Sequence, residues 1–252
     1  MIRRFEEISN NAWPALQTIQ YDGWLLRFAN GVTKRSNSVS LLYPSTINPE
    51  EKITFCEKLY EDHGITPCFK ITSMADPPDI DHRLENRGYF IHSHISFQTL
   101  DISVYSGDQF RGATIETNLN PRWIDDFIRM NDFDPSRRST YIRIMDLTLT
   151  PKCLVSVIKN KKTLGVGLGV IEGNVIGLFD LVVAREFRKT GLGHLIVANI
   201  LRWGREKGAH TAYLQVLTDN IPAIRLYKKM GFTEQYQYLY RMKPITSAGV
   251  PS

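Results

Sequence analysis

The chain has 252 residues, 42% of them hydrophobic and 23% charged, enough to bury one large core or two smaller ones. Its three cysteines form no Cys-x-x-Cys pair and argue against a disulfide framework or a zinc site. The opening residues, Met1 to Glu7, have no apolar signal region, so a reducing cytoplasm is the expected setting. The net charge of +5 is unevenly spread: residues 1–110 carry 10 Lys/Arg against 14 Asp/Glu, and residues 111–252 carry 21 against 12. A basic second half suits a polyanionic ligand. Its Arg and Lys are scattered without an aromatic-basic run, so no nucleic acid is expected.

In chain order, residues 23–28 and 38–43 read as a hairpin, followed by a helix over 50–63 that Gly64 stops. A strand over 68–72, a short helix over 79–87, the pair Gly88-Tyr89 and a long strand to Leu100 complete the first half. His92 and His94 share one face of that strand, but no third ligand accompanies them, and no metal is expected. Residues 104–111 read as a connector. Helices over 121–131 and 135–145 carry Trp123, Asp125, Asp126, Phe133, Asp134 and Tyr141, which could line an amine site or form an ordinary helical surface. The most apolar stretch, 164–184, is broken by Glu172, Asn174, Asp180 and several glycines, so it reads as two strands and a turn, not a membrane span. A helix over 195–207 ended by Gly208, a strand over 211–217, a helix starting near Asn220, Gly231-Phe232 and a strand to Tyr240 follow. The tail, 244–252, is expected to be flexible.

The two halves run in one order. Gly64 to Gly208 is 144 positions and Gly88 to Gly231 is 143, so the register holds within one residue and implies an internal duplication. An unrelated α/β domain in the first half is the alternative.

Chemistry is concentrated at Arg188-Lys189-Thr190-Gly191-Leu192-Gly193, where a strand over 178–183 gives way to a helix. A glycine turn at a helix start leaves several N–H groups pointing one way, which suits a phosphate. The turn is neither Gly-x-Gly-x-x-Gly nor a P-loop. Downstream comes Asn220-x-x-Ala223-x-x-Leu226-Tyr227-x-x-x-Gly231-Phe232. Together, and at this separation, the two motifs resemble the acetyl-CoA core of the GNAT superfamily of N-acetyltransferases, over residues 112–243. One departure is Arg185, where many members carry proline.

The resemblance implies an α/β (α+β) class: two GNAT-like mixed-sheet halves in tandem, each a central twisted sheet flanked by helices. It divides the chain into a degenerate domain at 1–103, a connector at 104–111, an acetyl-CoA-binding domain at 112–243 and a tail at 244–252. The first half has Pro44-Ser45-Thr46-Ile47-Asn48-Pro49 at the turn and Leu84 in place of Tyr227, so it is expected to lack the chemistry. The resemblance places the cofactor along Leu181, Val182 and Val183 and its phosphates at Arg188, Lys189, Thr190, Gly191, Leu192, Gly193 and His194; Asn220 is either a further contact or the N-cap of its helix. The Val183 N–H would polarise the thioester carbonyl, and Tyr227 would be the general acid. Asp180 and Glu172 are the candidate bases. The implied reaction is acetyl transfer from acetyl-CoA to a primary amine, of a small molecule or of a peptide. A non-catalytic acyl-CoA-binding module is a reading from another class. No membrane partner is expected, and a homodimer is compatible with the sequence.

Overall fold

A computed structural model of the chain describes residues 1–103 and 112–243; the connector and the tail expected from the sequence lie outside the described residues. The chain divides into two compact units, one of Met1–Asn10, Ala15–Ile95 and Gln237 onward, the other of Asn11–Pro14 and Ser96–Tyr236.

The first unit opens with helix α1 (Ile2–Ala12) and a hairpin of β1 (Gln17–Tyr21) and β2 (Trp24–Phe28). Its turn, Asp22-Gly23, has φ of 43° and 84°, the left-handed pair that matches the twist of the flanking strands. Strand β3 (Val39–Leu41) pairs antiparallel with β2 through Trp24↔Leu41, as the sequence implied. Strand β1 was not foreseen: four of its five residues are exposed, so no buried alternation marks it. Helix α2 (Pro49–Asp62) starts at Asn48, whose side chain accepts the Glu50 N–H, and carries proline where helices tolerate it best. Strand β4 (Cys68–Ile71) lies parallel to β3, and helix α3 (Ile80–Asn86) follows. The other edge of β4 takes β11 (Thr233–Met242), antiparallel, with Leu239↔Ile71. Trp24, Leu26, Val39, Ile53, Phe69, Ile80 and Leu84 form the core between sheet and helices.

The second unit contains the latter part of β5 (Phe90–Asp101), then β6 (Thr114–Glu116), α4 (Pro121–Met130), α5 (Arg138–Leu147), β7 (Lys152–Lys159), β8 (Lys162–Glu172), β9 (Val175–Val183), α6 (Leu192–Glu206), β10 (Thr211–Leu217) and α7 (Ile221–Lys229). Strands β7, β8 and β9 are antiparallel neighbours and β10 is parallel to β9. The sequence β2–β3 antiparallel, β3–β4 parallel is therefore repeated as β8–β9, β9–β10. The strand after it is exchanged: β4 pairs with β11 from the end of the chain, and β10 is bonded to β5 from the first half. That exchange is why neither unit is continuous in sequence.

Four helices end alike on a glycine, and α4 closes in the same way on Asp132, φ 54°, with the Phe133 N–H donating to the Ile128 carbonyl. After α2, α3, α6 and α7 stand Gly64, Gly88, Gly208 and Gly231, with φ of 66°, 83°, 89° and 93°. Each is followed by an N–H reaching back five residues: Ile65 to Tyr60, Tyr89 to Leu84, Ala209 to Gly204 and Phe232 to Tyr227. This is the Schellman closure, which needs the left-handed residue that glycine supplies. Its recurrence in the same order supports the duplication and pairs Leu84 with Tyr227.

Candidate active site

The site is built at the ends of β9 and β10. The register Val166↔Val182 and Leu168↔Phe179 leaves Asp180 and Leu181 together opposite Gly167, a bulge, and Asp180 takes φ 49°. Pairing of β9 with β10 stops at Leu178↔Leu214, although the strands continue to Val183 and Leu217. Their last residues therefore part. The Ala184 N–H donates to the Leu164 carbonyl on β8 at 2.9 Å. Strand alternation then turns the Val183 N–H and C=O away from β8, toward the side that β10 has left. Arg188 Nε donates to the Val183 carbonyl on that side at 3.2 Å.

Strand β9 runs into a short 3₁₀ turn, Arg185–Phe187, and then into the glycine segment. Lys189 and Gly191 have φ of 63° and 88°, flanking Thr190, whose hydroxyl donates to the Phe187 carbonyl at 2.6 Å. Two left-handed residues so close turn successive amides to one side. Helix α6 begins at Leu192, three residues earlier than the apolar stripe suggested, and its first bond is Leu195 N–H to Gly191 C=O. The Leu192 and Gly193 amides precede that bond and have no helical carbonyl to meet. Arg188 and Lys189 stand exposed beside them, and His194 is half-buried. A Cβ on Gly193 would lie 3.1 Å from Leu226 Cδ2, so the turn sits directly against α7.

Helix α7 presents Tyr227 next to Leu226. The side chain is 7% exposed, and its ring meets Phe232 edge-on at 5.8 Å. Burial pushes its hydroxyl up to about 12. Among the described residues none bonds that hydroxyl. Asn220 caps α7, accepting the Ala223 N–H at 3.3 Å, which leaves its amide hydrogens available. Leu217 and Ile221, 43% and 47% exposed, are apolar side chains turned to solvent at the same end; the sequence reading passed over them as ordinary strand and helix residues.

Leu181, Val183, Leu192, Leu226 and Tyr227 meet around one apolar cluster, so strand, turn and α7 converge. Glu172 does not join them. It pairs with Val175 at the opposite end of β9, about 25 Å from Val183 at roughly 3.3 Å per residue, and accepts the Asn11 amide at 2.9 Å. The aromatic and acidic residues on α4, α5 and the loop between them are mostly structural. Trp123 is buried with Nε1 donating to the Val155 carbonyl; Tyr141 is buried and meets Trp13 edge-on. Asp125 holds Arg138, Asp126 holds Arg129, and Asp134 caps the turn at Ser136. His92 and His94 lie on an exposed stretch of β5, and no group of three metal-ligating side chains occurs among the described residues. None of the described helices is long and apolar enough to cross a membrane.

A bulged β9, a splayed β10 and a glycine turn opening α6 define a mixed-sheet acyltransferase fold. The Acetyltransferase (GNAT) family model matches residues 120–232, and the model described as Probable histone acetyltransferase Rv0428c C-terminal matches residues 1–95. The chain is 31% identical to the uncharacterized N-acetyltransferase YobR of Bacillus subtilis, over 96% of this chain and 98% of that one. It therefore belongs to the GNAT N-acetyltransferase family. Among solved structures it resembles a GCN5-related N-acetyltransferase from Kribbella flavida, with a TM-score of 0.70 at 15% identity over 98% of this chain and 96% of the other. A tandem GNAT protein from the clavulanic acid biosynthesis pathway gives 0.63 at 13% identity over 94% and 86%. A shorter match, 33% over 57 residues, covers 23% of this chain and 38% of a [Ribosomal protein bS18]-alanine N-acetyltransferase of Salmonella typhimurium.

Proposed function

We propose that this N-acetyltransferase moves an acetyl group from acetyl-CoA to a primary amine of a small molecule, at one site carried by residues 112–243. Residues 1–103 contribute fold and no second site. The observation that carries the reading is the convergence of an unpaired strand edge, an amide-lined turn and a protonated tyrosine.

In this reading the phosphates meet the amides of residues 189–193, with Arg188 and Lys189 adding charge. The thioester arm lies along Leu181, Val182 and Val183, and Leu217 and Ile221 cover its apolar part. The amine nitrogen attacks the carbonyl carbon and forms a tetrahedral oxyanion, which the Val183 N–H stabilises; one such donor is worth about 3–4 kcal/mol of barrier. As the carbon–sulfur bond breaks, Tyr227 gives its proton to the departing thiolate. The surplus proton on nitrogen leaves to Asp180, directly or through water. Glu172 has no part in this scheme, because of its distance. The buried, unbridged thiols of Cys56, Cys68 and Cys153 suit a reducing cytoplasm.

The test is calorimetric titration of the whole chain with acetyl-CoA beside a Gly191→Trp variant, followed by a screen of amines and peptides for thiol release. Binding by the wild type alone, with release on a small amine, supports the reading. Release only on a peptide N-terminus would replace the acceptor class, and no binding would sink the assignment.

A further inference from the structure

Residues 44–49 stand 144 positions before residues 188–193, the displacement that relates Gly64 to Gly208. Each segment joins a sheet strand to a helix whose next strand is parallel to the first. In the first half the amides of this turn are already engaged. The Thr46 and Ile47 N–H groups both donate to Asp22 Oδ2 at 2.8 Å, and the Thr46 hydroxyl donates to Asp22 Oδ1 at 2.9 Å. The Ser45 N–H donates to Asp76 Oδ2 at 2.8 Å. Lys52, from the first turn of α2, is wholly buried over the Trp24 ring, and its Nζ lies 3.2 Å from Asp22 Oδ2 while also bonding the Asp22 carbonyl.

The arrangement is held from behind. The Tyr43 N–H donates to the Gly23 carbonyl at 3.1 Å, and a Cβ on Gly23 would stand 2.4 Å from the Pro44 oxygen, so only glycine lets the β1–β2 turn close on this loop. The Ile47 amide, with Thr46 and Lys52, holds the Asp22 carboxyl well below the usual carboxylate range. In the second half the corresponding β7–β8 hairpin turns through Asn160-Lys161, with φ of 50° and 63°. There, among the described residues, no carboxylate bonds the amides of 189–193.

We propose that residues 44–49 form an anion-binding cradle whose ligand is the chain's own Asp22 carboxylate, which bars phosphorylated ligands from the first half. Consecutive N–H donors and a buried ammonium converge on one anion, and a phosphate would meet the same donors. The first half has thus kept a phosphate turn and filled it from within. The likeness to residues 188–193 rests on their proposed cofactor role, whereas the test below reads residue 22 with inorganic phosphate and is blind to acetyl transfer.

Thermal unfolding of the full chain is followed for wild type, Asp22→Ala and Asp22→Asn in rising inorganic phosphate, against chloride of equal ionic strength. The wild-type response is the baseline for the second half. Asp22→Ala should lose several degrees and regain them saturably with phosphate beyond that baseline. Asp22→Asn, which keeps an acceptor oxygen without the charge, should fall between. An Asp22→Ala chain that responds to phosphate as the wild type does overturns the proposal. If the alanine variant does not fold, the Thr46 and Ile47 amide resonances of Asp22→Asn are titrated instead. They should move with phosphate while those of the wild type stay, and immobile resonances in both chains overturn it equally.

Discussion

Tyr227 is held in the form a proton donor needs. Its hydroxyl, lifted to about 12 by burial, stays protonated across the neutral range, where the proposed mechanism has it quench the departing thiolate. Replacing it with phenylalanine removes the proton and little volume. Tyr227→Phe should therefore lower kcat by about 100-fold or more with acetyl-CoA affinity kept, as steady-state kinetics beside calorimetry would show; an unchanged kcat would leave the tyrosine a packed aromatic. The pH dependence follows from the sign of the shift. The folded state holds this proton more tightly than the unfolded chain, whose tyrosine titrates near 10. The contribution to stability is whole below about pH 10 and is lost as pH rises toward 12. Unfolding midpoints should therefore fall over that interval in the wild type and less steeply in Tyr227→Phe. That the turn before α6 and Tyr227 come together could be read from the sequence, because motif spacing along the chain survives folding. The aromatics on α4 and α5 were not, since Trp123 buried against Val155 reads the same in one dimension as a pocket wall. Glu172 misled for a related reason: it is close to Asp180 along the chain but at the far end of an extended strand.

Strand β8 explains its own composition. Its alternate glycines, 165, 167 and 169, face α6, and Cβ atoms there would fall 2.9 Å from Ile196 Cδ1, 2.5 Å from Ile196 Cγ2 and 2.7 Å from Ile200 Cγ2. The helix can lie this close only because the strand presents no side chains to it, and that approach sets where the amides of the turn emerge. Gly169→Ala is the clean test, because its other near neighbours, the Cys153 sulfur at 2.8 Å and Ile176 Cδ1 at 3.2 Å, belong to the core and not to the site. Overpacking of this kind costs about 1–3 kcal/mol. Urea unfolding should show that loss, while the folded fraction binds acetyl-CoA as before. A neutral substitution would mean that α6 can retreat. The four helices that stop at a glycine could be read from sequence, because a left-handed C-terminus has a residue signature; α1, which has no such stop, was not read. The exposed strand β1 has none, and the bulge at Asp180 is a matter of register with β8, which no single segment records.

For the molecule as a whole, the duplication predicts two turns of one ancestry and a single cofactor. Calorimetry should return one acetyl-CoA per chain, and Gly191→Trp, which forces a large side chain onto a residue at φ 88°, should abolish it. A stoichiometry of two would overturn the reading of the first half. The duplication could be seen in the spacing of glycines, but the exchange of β5 and β11 could not, since both pairings keep the same order of elements. That exchange has a consequence for synthesis. Ile71 finds its partner in Leu239, 168 positions later, so β4 leaves the ribosome long before the strand that completes it. Pairings of such separation form slowly, because a long loop must close before any contact rewards it. The half that is made first is thus the last to be finished, and a chain stopped before Thr233 leaves one edge of β4 without its β11 partner, a template for pairing with another chain.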